Sequence, residues 1–109
     1  MAYNEDLADR IRDQLEAMQP YPEKRMFGGI AFFLNGNMAC GVSGDELMVR
    51  VGPERYEEAL AQPYARPFDI TGRPMTGWVM IASAGCASET DLKGWVQAGV
   101  DFALKLPPK

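Results

Sequence analysis

Histidine is absent from this chain of 109 residues. Its absence removes the usual general base, the Ser/His and Cys/His dyads, and every imidazole metal ligand. Cysteine is scarce: Cys40 and Cys86 are the pair present, with neither CxxC nor zinc spacing. Neither pattern calls for an oxidising compartment, and a reduced, cytoplasmic setting is expected. Lysine and arginine form no run, and the net charge is −4. With no basic stripe and no helix-turn-helix pattern, the balance argues against direct nucleic-acid binding. Long apolar runs are also missing, and the N-terminus MAYNEDLADRI is acidic and amphipathic, so neither a membrane span nor a signal peptide is expected.

What is present is a hairpin-rich centre. From Lys24 to Val51, apolar or β-branched runs are broken by Gly28-Gly29, Asn35-Gly36 and Gly44-Asp45. Two-residue hairpin turns favour such dipeptides because they tolerate positive φ. Four short strands are therefore expected. With two-residue turns, Leu34 pairs with Asn37, Phe33 with Met38, Ala31 with Cys40, Val42 with Leu47, and Cys40 with Val49. Side chains alternate between faces. One face then carries Ala31, Phe33, Met38, Cys40, Val42, Leu47, Val49 and Val51, the expected core. The second carries Ile30, Phe32, Leu34, Ala39, Gly41, Met48 and Arg50. A turn at Gly28-Gly29 adds Arg25 to this face, in one row with Phe32, Ala39 and Arg50, its Cα about 14 Å from that of Arg50.

Helices flank the meander. Over residues 4–19, Leu7, Ile11, Leu15 and Met18 recur at helical spacing, with Asn4 as N-cap and Pro20 as stop. Gly52-Pro53 opens a second helix that Pro63 ends. Strands follow at Pro67–Ile70 and Trp78–Ala82, linked by the breaker-rich Thr71-Gly72-Arg73-Pro74. Ser88 caps a last helix whose expected buried stripe is Leu92, Trp95, Val96, Gly99, Phe102, Ala103 and Leu106. The order α-β-β-β-β-α-β-β-α, with connections too short for parallel crossovers, implies an α+β two-layer sandwich. Its sheet is mainly antiparallel, with helices on one face, in a single domain over residues 1–109. The other face would expose Ile30, Phe32, Leu34 and Met48. A twofold dimer or cover by another part of the chain is expected there.

The arginines are the most suggestive polar residues. Arg25 and Arg50 on an apolar face, with Arg66 and Arg73 in or beside loops, suit forked hydrogen bonds to a carboxylate or phosphate. Their stems can equally cover apolar surface while their heads pair with nearby acids. Gly28-Gly29 lacks both a phosphate-loop pattern and the helix that should follow. Asp45-Glu46 and Glu57-Glu58 show no convergence on one cleft. No catalytic residue, metal or cofactor is assigned.

The segments KRMFGGIAFFLNGNMACGV, DELMVRVGPERYEEAL, ARPFDITGRPMTGWVMI and SETDLKGWV together resemble the TfoX N-terminal domain family. This is the domain of Sxy-type bacterial competence regulators and of many stand-alone small proteins. The resemblance covers nearly the whole chain and implies a secretion-chaperone-like α+β fold in a bacterial cytoplasmic protein. In the full-length regulators a C-terminal helical domain follows, and the whole acts with the cAMP receptor protein on DNA-uptake genes. A stand-alone N-terminal domain is expected here, and no catalytic residues are established for the family motif, so none is carried over.

Two functions compete. The first is a non-enzymatic regulatory or adaptor module acting through protein–protein contacts. It would be a homodimer, with a protein partner in transcription regulation and with Phe32, Met48 and Arg50 central to the contact surface. On that reading Phe32→Asp abolishes assembly without unfolding the monomer. The second is a small-molecule binding protein or enzyme in which Arg25, Arg50 and Arg73 hold an anionic ligand.

Overall fold

The computed structural model describes residues 4–16, 22–26, 29–34, 36–68 and 76–107. Helix α1 (Glu5–Glu16) buries Leu7, Ala8, Ile11 and Leu15. Asn4 caps it: the Asn4 side-chain oxygen accepts from the Leu7 N–H at 3.1 Å. The Asn4 N–H donates to the Gly44 carbonyl at 2.7 Å, tying the helix start to a hairpin turn.

Six antiparallel strands form one sheet: β1 (Glu23–Met26), β2 (Gly29–Leu34), β3 (Asn37–Ser43), β4 (Glu46–Arg50), β5 (Ala65–Pro67) and β6 (Trp78–Ile81). The spatial order is β1-β2-β3-β4-β6-β5. Short helix α2 (Tyr56–Leu60) follows β4, a 3-10 helix spans Ser83–Cys86, and α3 (Glu89–Lys105) closes the described chain. The α+β order matches expectation, and the core joins α1, α2 and α3 to one face of the sheet. Three details differ. Helix α2 starts at Tyr56, because Pro53–Arg55 form a turn. Strand β5 lies at Ala65–Pro67, ahead of the span expected, and Asp69 and Ile70 fall outside the described residues. The 3-10 helix was not anticipated.

The register carries the main correction. Leu34↔Asn37 and Phe33↔Met38 pair as expected, and so do Val42↔Leu47 and Cys40↔Val49. Between the two sets β3 holds one extra residue, Ala39, opposite the step from Phe32 to Phe33. This β-bulge makes Phe32 pair with Cys40, Ala31 with Gly41 and Ile30 with Val42. One inserted residue exchanges the two faces of a strand. Ile30, Phe32, Leu34 and Ala39 therefore join Cys40, Val42, Leu47 and Val49 under the helices, while Ala31, Met38 and Phe33 move to the other face. Gly99 lets α3 settle onto the bulge, since a β-carbon there would run into the Ala39 carbonyl.

The second face is covered within the chain, one of the two outcomes expected for it. Ala31, Met38, Met48, Phe68 and Met80 form a buried cluster within the chain, with Phe33 and Trp78 packed against it. The sheet edges also resist extension. β1 presents the exposed Glu23, Lys24 and Arg25, and β5 is three residues long and includes Pro67.

Candidate functional site: an arginine between two aromatic rings

Strand β4 ends at Arg50, and the backbone just beyond is pinned. The N–H groups of Val51 and Gly52 both donate to the Gly77 carbonyl, at 2.8 and 3.0 Å. Trp78 follows Gly77 and is the register partner of Arg50. Gly52 sits at φ 89°, in the left-handed region. A β-carbon there would run into the Phe102 ring, so glycine at 52 is what lets α3 lay Phe102 at the end of β4. The Arg50 guanidinium carbon then lies 5.3 Å from the Trp78 ring centre and 5.2 Å from that of Phe102. Both distances suit cation–π attraction.

Arg50 is half-buried and makes no ion pair with any described residue. Other arginines are engaged. Arg10 binds Glu89 at 2.7 Å and the Ala87 carbonyl at 3.0 Å. Arg12 grips Glu23 and Asp9, and Arg66 forks onto Glu46.

The other residues picked out from sequence do not gather here. Arg25 is exposed on β1 opposite Ile30, because Met26 pairs with Gly29 and not with Ala31 as the expected turn required. Strand alternation then sets Arg25 on the helix side and Arg50 on the other side, so the two do not share a row. Phe32, expected on an open contact face, is fully buried in the helix-covered core. The Arg12 guanidinium carbon stands 5.9 Å from the centre of the Phe32 ring. Met48 is equally buried, beside Met80 and Ala31. Arg73 lies outside the described residues. Sequence reasoning missed the roles of Trp78 and Phe102, which meet Arg50 only through non-local pairing and helix docking.

The family model of the TfoX N-terminal domain matches residues 13–103. The chain belongs to the TfoX N-terminal domain family. No curated protein matches it. Two stretches of this TfoX N-terminal domain that carry the resemblance meet at the clamp: DELMVRVGP supplies Arg50 and Gly52, and the end of ARPFDITGRPMTGWVMI supplies Gly77 and Trp78. A third, the Gly36-Asn37-Met38 hairpin, has Gly36 at φ 81°. There the buried Asn37 amide donates to the Pro107 carbonyl at 3.0 Å.

On the helical side of the domain, three cavities of about 300, 150 and 190 Å³ adjoin along α3: the first faces α2, the second the segment before it and the third the segment after it. The first two share Val51, Arg55 and Ala98, and the first and third share Gln62, Asp91 and Trp95. Phe102 walls the second, so the groove begins next to the Arg50 clamp. At its other end stands Tyr64, 59% exposed and held at φ 68°.

Neither thiol is placed for nucleophilic work. Full burial pushes Cys40 up to about 12. Burial raises Cys86 too, with Asp91 adding to the rise and Arg10 opposing it. Among the described residues no cluster of three or more His, Cys, Asp or Glu could hold a metal, and no helix is long and apolar enough to cross a membrane.

Proposed function

We propose that this TfoX N-terminal domain is a non-enzymatic regulatory module of the bacterial cytoplasm. It works through protein–protein contacts in the control of DNA-uptake genes, as a homodimer. The observation that carries the reading is the family match over residues 13–103. The buried, protonated cysteines agree with a role that needs no nucleophile.

The contact surface is the α2–α3 side, and the occupant is a second copy of the chain. The sheet face first considered is closed within the chain, and both sheet edges are guarded by charge or proline. Tyr64 and Leu104 are the large apolar residues left exposed among those described, at 59% and 41%. Tyr64 keeps a strained left-handed backbone beside the groove that Trp95 also lines, and aromatic anchors of this kind dominate interface energetics.

Light scattering on wild type beside Tyr64→Asn tests the contact. Asparagine tolerates left-handed φ, so the fold survives while the aromatic anchor is lost. A wild-type dimer that Tyr64→Asn splits supports the reading, and a monomeric wild type overturns the homodimer. Transcript profiling of a deletion strain tests the pathway, where unchanged DNA-uptake transcripts would overturn the regulatory role.

A further inference from the structure

We propose that Arg50 is a recognition site for a carboxylate carried on an apolar body. The inference is independent of the homodimer and rests on the clamp geometry. Two ring centres lie within cation–π range of the guanidinium, at 5.3 and 5.2 Å, and no described residue accepts from its N–H groups, which are left to offer. The two ring contacts restrain the side chain in advance, which reduces the ordering cost of a forked hydrogen bond.

The protein treats its other recessed arginines differently. The Arg10 and Arg12 side chains are 24% and 27% exposed, and each is engaged by carboxylates of this chain. Arg50 is also half-buried, yet no described carboxylate pairs with it. With no described counter-charge beside it, the guanidinium leaves an anion position open, and an incoming carboxylate would supply the missing partner.

The same surroundings select the ligand class. A planar carboxylate matches the two parallel donors of a guanidinium edge, and one positive charge balances one negative charge. Trp78 and Phe102 are themselves half-buried, so their remaining ring surface provides an apolar wall beside the charged edge. Gly52 and the twice-used Gly77 carbonyl hold these parts in place without a ligand, so the site is pre-formed.

The test is an NMR titration of the ¹⁵N-labelled protein at constant ionic strength with benzoate, acetate and inorganic phosphate. The Arg50 Nε–Hε signal is identified by its loss in Arg50→Lys, or by through-bond assignment of wild type if that variant does not fold. The expected result is a saturable shift with benzoate. Acetate should bind at least about tenfold more weakly, since it lacks the apolar body. Phosphate should leave the signal in place. Trp78→Leu keeps the cation but removes the indole, and should weaken benzoate binding. A signal that moves with no acid, or only with total salt, overturns the site. Tighter binding of phosphate than of benzoate overturns the carboxylate class, and equal binding of acetate and benzoate overturns the apolar wall.

Discussion

Replacing Gly52 with alanine tests the construction of the clamp. Two costs add in Gly52→Ala. Backbone at φ 89° disfavours any residue with a β-carbon, by about 1–2 kcal/mol. The new methyl also runs into the Phe102 ring, an overpacking cost of about 1–3 kcal/mol. Together they predict a loss of about 2–5 kcal/mol, large against the ~5–15 kcal/mol that holds a domain folded. The two costs separate in a double-mutant cycle. Phe102→Ala alone should lose about 2 kcal/mol, since the ring is half-buried, with up to about 1 kcal/mol from the lost cation–π contact. In the double variant the clash has gone and only the backbone strain remains. The combined loss should therefore fall short of the sum by about 1–3 kcal/mol. Urea denaturation followed by tryptophan fluorescence reads all four proteins. Additivity within about 0.5 kcal/mol would refute the account of Gly52, as would a Gly52→Ala protein as stable as wild type.

Other predictions follow from the same packing. Phe32→Ala should lose about 3–5 kcal/mol in urea and Phe32→Asp should fail to fold, because the ring lies fully buried under the helices. A soluble, folded Phe32→Asp would contradict the bulged register. Stability should fall as pH rises from about 9 towards about 12, by at most about 1.4 kcal/mol per pH unit from Cys40. The folded thiol there holds a proton that the unfolded one releases, so this contribution is intact below pH 9. Denaturation midpoints for wild type and Cys40→Ala check it, since the variant should lose that slope. Ser88→Ala should lose about 1 kcal/mol, because the Ser88 hydroxyl oxygen accepts from the Asp91 N–H at 3.1 Å at the start of α3.

Much of the fold was legible in the chain because its signals are local. Leu7, Ile11 and Leu15 mark α1 by spacing, and Asn4 and Ser88 are the caps they were read to be. The Gly44-Asp45 turn set the β3–β4 register correctly. The bulge left no trace, for a physical reason. Both faces of β2 and β3 are apolar, so sliding one strand by a residue leaves each face equally greasy, and alternation cannot choose between them. Ala39 is neither glycine nor proline and gives no break in pattern. Arg50 was legible as an arginine on a sheet, but its two rings come from β6 and α3, 28 and 52 positions further along. Only the closed fold brings them together. The expected company of Arg25 failed with the register, because Met26 pairs with Gly29 and Arg25 with Ile30.

The extra residue at position 39 also changes what counts as a mild mutation. Hairpins usually absorb insertions and deletions at little cost. Here, losing Ala39 would leave Met38 opposite Phe33 and Cys40 opposite Phe32, so the ladder would become regular and the side chains of β2 and β3 would keep their faces. The cost would fall elsewhere, because Gly99 seats α3 against the Ala39 carbonyl and that seat would be gone. In this meander the spare residue serves the helix above the sheet, and a single-codon deletion there should loosen the docking of α3 while leaving the strand pairing intact.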